Sequence, residues 1–140
     1  MITRMSHTTI YVLDQDVAYD FYVNKLGFTV HTDAKMGEFR WLTVCPKGQP
    51  DLEIVLMPIG LDMGGSGDPE VKTMMKKLLE KGALGSGVFD TPNLEATYQE
   101  LKAKGVEFLS APEQKFYGKE AIFKDPFGNF FSLGEKPEAK

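Results

Sequence analysis

Arg40 and Trp41 are neighbours in the chain, and together they could hold a small molecule. A guanidinium fork grips a carboxylate through two parallel hydrogen bonds, while an indole supplies an aromatic wall. The same arginine could equally be an edge-strand charge facing solvent. Cys45 is the only thiol. No His or Lys adjoins it in sequence to lower its pKa, so a buried structural role is expected. Gly64-Gly65-Ser66-Gly67 lacks the Lys and Ser/Thr of a phosphate loop and reads as a flexible connector. Tyr11, Val55, Met57 and Phe130 are expected to line a concave face, where they would favour a partly apolar ligand.

The elements that must position these residues repeat. Residues 5–13 alternate as a strand, with Thr8, Ile10 and Val12 on one face and His7, Thr9, Tyr11 and Leu13 on the other. Asp14 can cap a helix to about residue 25, with Val17, Phe21 and Leu26 at helical spacing and Gly27 closing it. Strands follow over 28–32, 38–45 and 51–57. Residues 69–81 predict an amphipathic helix with Val71, Met74, Met75, Leu78 and Leu79 on one stripe. Such a stripe is expected to pack on the body of the domain; the alternative is a Met-rich lid over a ligand cavity. From residue 84 the order recurs: a strand to 90, a helix starting at Thr91-Pro92 and ending at Lys104-Gly105, then strands over 106–109, 116–124 and 130–133. The last two strands flank Asp125-Pro126-Phe127-Gly128-Asn129, a hairpin turn by its local chemistry. The fold class predicted is α+β, with tandem βαβββ modules at about 4–58 and 83–135, a linker and extra helix over 59–82, and one domain over 1–140.

Bulk properties narrow the function classes. Net charge is −4, and only Arg4 and Arg40 among sixteen cationic residues are arginines. That balance argues against a nucleic-acid partner. One cysteine excludes an internal disulfide framework and fits a reducing compartment. No apolar run reaches membrane-spanning length, and residues 1–9 lack the apolar core of a signal peptide. A cytoplasmic protein without membrane partners is expected.

The repeat, the FYVNKLGF element (21–28), the LKAKGVEF element (101–108) and the DPFGN turn (125–129) agree in order and spacing with one family. The chain resembles the vicinal oxygen chelate superfamily, which holds glyoxalase I, bleomycin-resistance proteins and extradiol dioxygenases. The resemblance spans about residues 5–135. It implies two modules building one cavity, assembled as a homodimer. It does not imply one reaction, because the fold hosts several.

Metalloenzymes of that superfamily take one ligand from the first and one from the last strand of each module, usually His or Glu. Carried onto this chain, the first-module pair is His7, twenty residues before Gly27, and Glu53. The second-module positions fall on Ser86 and Ser132. A neutral hydroxyl is a poor ligand for Zn²⁺, Ni²⁺ or Mn²⁺, and each strong ligand lost weakens binding by about 1–2 kcal/mol. The metal set His7 and Glu53 is therefore incomplete. His7 and Glu53 could instead satisfy each other as a buried hydrogen-bonded pair, and this metal-free reading is preferred over a weakly held divalent ion. His31 is read as following the second strand, too far to replace either serine. Glu120, beside Ser132, could offer a carboxylate; its face is open to either assignment.

These expectations point to a protein that binds a small oxygenated molecule without a full metal site. Ligand-binding candidates are Arg40, Trp41, Tyr11, Ser86, Phe130 and Ser132; candidates for acid–base work are Glu53 and Glu120. Whether it is an enzyme is left open. One alternative is a metal-dependent lyase of the lactoylglutathione lyase type, in which Glu is both ligand and proton shuttle. Another is a drug-sequestering resistance protein.

Overall fold

Alternating residues of the first strand pair with the fourth, and this parallel pair sets the first sheet. The computed structural model describes residues 1–60 and 67–136. His7–Val12 (β1) runs parallel to Glu53–Pro58 (β4), with His7 opposite Glu53, Thr9 opposite Val55 and Tyr11 opposite Met57. Thr29–Met36 (β2) and Phe39–Cys45 (β3) complete the sheet in the order β1-β4-β3-β2. One face buries Ile10, Val12, Leu42, Val44, Ile54 and Leu56, each worth about 2 kcal/mol of apolar transfer. The opposite face carries His7, Trp41, Thr43 and Glu53, because side chains two apart on a strand share a face.

Between β1 and β2 the chain is capped as its sequence requires. Asp14 Oδ1 accepts from the backbone N–H groups of Asp16 and Val17 at 2.8 and 3.0 Å, starting α1 (Gln15–Tyr19). The helix then widens into a π-helical stretch over Asp20–Lys25, in which Leu26 N–H bonds Phe21 C=O at 2.9 Å. This i→i+5 bond shifts the inward face. Ala18, Phe21 and Tyr22 are buried, and Val17, expected inside, is 43% exposed. Gly27, at φ +77°, turns the chain out of the helix.

The second sheet repeats the plan. Gly85–Thr91 (β5) runs parallel to Phe130–Glu135 (β8), and Glu107–Lys115 (β6) and Gly118–Lys124 (β7) complete the order β5-β8-β7-β6. Its core stacks Phe89 and Phe123 on Phe131, at centroid separations of 5.0 and 5.3 Å. The crossover helix α3 is Leu94–Ala103, capped by Asn93, whose Oδ1 accepts from Ala96 N–H at 3.0 Å. The cap follows Pro92 rather than preceding it, which corrects the expected start. Strands β2 and β6 run longer than expected. Each is half of an antiparallel pair that continues to its hairpin turn, beyond the apolar residues that mark it in sequence.

Together the two four-stranded mixed sheets and their helices make an α+β architecture. The chain divides into two compact units, Met1–Lys77 and Leu78–Lys140. The division falls inside α2 (Pro69–Glu80). Along α2 the inward line is Val71, Met75 and Leu79, at strict i, i+4, i+8 spacing, and Met74 and Leu78 are about half exposed. Residues 61–66, which include most of the glycine-rich connector, lie outside the described residues.

The DPFGN turn is a hydrogen-bonded cage. Asp125 Oδ1 accepts from the backbone N–H groups of Phe127, Gly128 and Asn129 at 2.9, 3.0 and 2.9 Å. Asn129 Nδ2 donates to Asp125 Oδ2 at 2.8 Å. Asp125 and Asn129 are buried, so these bonds supply the partners that burial demands.

Candidate functional site

In the first unit, three strands each send a polar side chain to a carboxylate on the fourth. His7 Nε2, from β1, bonds Glu53 Oε2 at 2.7 Å. Thr43, from β3, donates its hydroxyl to Glu53 Oε1 at 2.9 Å. His31 Nδ1, from β2, meets the same oxygen at 3.1 Å. The Ser6 hydroxyl lies 2.8 Å from His7 Nδ1. Parallel register brings His7 and Glu53 together, since they are direct partners across β1 and β4.

His31 was expected to follow the second strand; it lies within β2. The β2–β3 register slips between Val30 and Thr32, and His31 is the extra residue. A bulge re-aims the residue it contains. The run VHTDA carries no Gly or Pro to announce it, and the sequence signal was simply a second imidazole in a chain with only two.

Trp41 shares this face, its ring 6.3 Å from that of His7 and 6.4 Å from that of Phe39. Tyr11 lies on the same side of β1 as His7. Cys45 is buried at the end of β3, and burial, followed by the negative charge of Glu53, pushes its thiol pKa up. That suits the structural role expected of it.

Arg40 is engaged within its own unit. Its Nε and Nη2 grip the two oxygens of Asp33 at 2.8 and 2.9 Å, and Nη1 reaches Asp16 Oδ1 at 2.7 Å. The fork that could hold a ligand carboxylate is filled by Asp33. The hydrogen bond to Arg40 holds the Asp33 carboxyl below its ordinary pKa.

In the second unit the two serines have different partners. Ser86, at the irregular register of β5, donates to Asn129 Oδ1 at 2.8 Å and so ties β5 to the turn. Ser132 donates to Glu120 Oε2 at 2.6 Å, and Tyr117 donates to Glu120 Oε1 at 2.6 Å. These two bonds, Ser132 first, hold the Glu120 carboxyl below its ordinary pKa. Bonded to the carboxylate, the Tyr117 phenol is pushed up. Around them lies an open groove of about 390 Å³, lined in part by Val88, Asp90, Tyr117, Glu120, Ser132 and Lys136. Val88 is 73% and Tyr117 60% exposed. Phe130 shares the face of Ser132 two residues away, its ring covering Gly85.

The fit to a divalent ion can be tested on this chemistry. The two imidazoles clamp opposite oxygens of Glu53, so their nitrogens do not converge on one point. Ser132 offers only a neutral hydroxyl, a poor ligand, and its hydrogen goes to Glu120. Among the described residues, no group of three or more His, Cys, Asp and Glu side chains is placed to hold a metal ion. The arrangement does not fit the superfamily's metal.

The chain matches a known family model, the Glyoxalase/Bleomycin resistance protein/Dioxygenase superfamily, over residues 4–133. The chain belongs to that superfamily. It is 36% identical over 130 residues to YurT of Bacillus subtilis (strain 168), covering 92% of this chain and 96% of YurT. Among solved structures it is similar to UcmS2, with 44% identity, a TM-score of 0.88, and coverage of 97% of this chain and 100% of that one. It is also similar to TnmS3, an antibiotic binding protein from Streptomyces sp. CB03234, with 30% identity, a TM-score of 0.73 and 98% of each chain covered. As for membranes, no helix among the described residues is long and apolar enough to cross one.

Proposed function

We propose that the protein captures a small, partly aromatic oxygenated molecule in the groove of the second unit and holds it without metal chemistry. One observation carries the reading. The groove sets exposed Val88 and Tyr117 beside a carboxylate, Glu120, that two hydroxyls keep anionic. Apolar surface left in water gains about 25 cal/mol per Å² when a ligand covers it. A fixed carboxylate and two hydroxyls orient the ligand's polar groups. The likeness to an antibiotic binding protein supports sequestration over turnover. The protein acts as a homodimer in the cytoplasm in this reading; its one thiol suits a reducing compartment.

The test is calorimetric titration with bleomycin and a panel of aromatic antibiotics, with and without EDTA, followed by chromatography of the recovered ligand. Saturable binding that ignores EDTA, leaves the ligand unchanged and weakens about tenfold in Tyr117→Ala is expected. Lactoylglutathione formation on adding Ni²⁺ or Zn²⁺ would overturn the reading in favour of the lyase. Light scattering on the same samples reads the oligomeric state.

A further inference from the structure

Three strands of the second unit lay out the charges of the groove by register. Gly134 on β8 lies opposite Asp90 on β5 and opposite Glu120 on β7. Direct partners across a sheet share a face, so two carboxylates flank a residue that has no side chain. The neighbouring row, Phe89, Leu133 and Ala121, faces the other way, and its Leu133 and Ala121 are buried in the core. The row of Gly134 therefore faces the groove, and all three of its residues line it. Asp90 leans over the gap: a Cβ placed on Gly134 would lie 3.7 Å from Asp90 Oδ1.

Both carboxylates keep room for a donor. A carboxylate accepts about four hydrogen bonds, and Glu120 receives one from Ser132 and one from Tyr117. Among the described residues the Asp90 carboxylate has no hydrogen bond or ion pair. The other charges along the groove do not cancel this pair. Lys119 meets Glu135 at 3.4 Å, which leaves Lys136 alone against Asp90 and Glu120. Exposed Val88 stands two residues before Asp90 on the same face, about 7 Å along the strand. An ammonium only donates and a carboxylate only accepts, and bonds between the two are about twice as strong as neutral ones. We propose that the ligand of this groove carries a protonated amine, seated over Gly134 between Asp90 and Glu120, with its apolar body on Val88 and Tyr117. This rests on the groove as the capture site and narrows its ligand to one chemical class.

The test compares phenethylamine with phenethyl alcohol, which has the same skeleton and no charge, by calorimetry at neutral pH. Wild-type protein is expected to bind the amine at least about tenfold more tightly. Added sodium chloride should weaken the amine and leave the alcohol unchanged, because salt screens only the charged pair. Asp90→Asn keeps the size and removes the charge, and should bring the amine close to the alcohol. Gly134→Ala adds a methyl at ordinary contact distance on a backbone without positive φ, so the fold should persist while the seat is filled and the amine weakens. An amine no tighter than the alcohol, a preference that survives Asp90→Asn or ignores salt, or an unchanged amine affinity in Gly134→Ala would each overturn the proposal. So would the absence of amine binding at millimolar concentration. The antibiotic titration with Tyr117→Ala decides the groove reading separately: a groove that binds amine and alcohol alike, and both more weakly in Tyr117→Ala, keeps that reading and loses this one.

Discussion

Ser132 hands its hydroxyl hydrogen to Glu120 across neighbouring strands, 2.6 Å from Oγ to Oε2. In the superfamily's metalloenzymes the position of Ser132 is usually a Glu. Here the carboxylate stands one strand over, on β7, and the last strand supplies its hydrogen-bond donor.

Removing that donor should move a titration. Ser132 is the largest influence holding the Glu120 carboxyl below its ordinary value, ahead of Tyr117. A carboxyl depressed in the folded state stabilises the protein above its unfolded pKa, and that contribution is lost as pH falls through the folded value. In Ser132→Ala, Glu120 should titrate at higher pH, and the stability that it contributes above its unfolded pKa and loses on acidification should be smaller than in the wild type. Carbon NMR of the Glu120 side-chain carboxyl against pH checks it; an unmoved titration would mean the bond does not form in solution.

Restoring the family's carboxylate should be costly as long as Glu120 remains. Ser132→Glu would bring a second negative charge against Glu120 Oε2, which the hydroxyl now approaches to 2.6 Å. Like charges so close raise a pKa or push apart, with an expected loss of about 1–2 kcal/mol at neutral pH. The double variant Ser132→Glu/Glu120→Ser exchanges the two groups and should recover most of it. Urea unfolding of the four proteins makes the cycle, and additive losses would show that the two positions do not interact.

Much of the fold was legible because it rests on local chemistry and register. The Asp14 cap, Gly27 and the DPFGN turn are each fixed by residues within a few positions of each other. His7 and Glu53 could be paired because β1 and β4 are parallel neighbours in a repeated module. The rest depended on irregularities that leave no composition signal. A bulge between Val30 and Thr32 swings His31 to Glu53, and a π-helical turn after Tyr19 leaves Val17 outside. Arg40 is spoken for by Asp33, seven residues upstream, once the β2–β3 hairpin pairs them closely. The face of Glu120, open from sequence, follows from its pairing opposite Gly134 on β8.

Gly128 should tolerate no side chain. Its φ is +114°, and an added Cβ would lie 1.8 Å from the carbonyl oxygen of Leu79. The obstacle is backbone, so no rotamer change relieves it. Gly128→Ala therefore combines strained backbone with a clash, and a loss of roughly 3 kcal/mol or more is expected. Chemical denaturation checks the size; a loss under about 1 kcal/mol would mean that α2 moves away freely from the turn. Asp125→Asn, which keeps one acceptor oxygen for the three backbone N–H groups, should lose less.

Arg40 separates a ligand clamp from a structural one. Its fork meets both oxygens of Asp33 and its third nitrogen meets Asp16 at the start of α1, joining β3, β2 and the helix. Asp16 is almost fully exposed and contributes little, whereas the bidentate pair with Asp33 is partly shielded. Lysine keeps the charge but cannot reproduce two parallel bonds. Arg40→Lys should lose about 1 kcal/mol and Arg40→Ala about 1–2 kcal/mol in denaturant unfolding. Affinity for a carboxylate-bearing aromatic probe should stay within about twofold of wild type in the lysine variant. Unchanged stability with lost affinity would reverse the assignment and return Arg40 to the ligand.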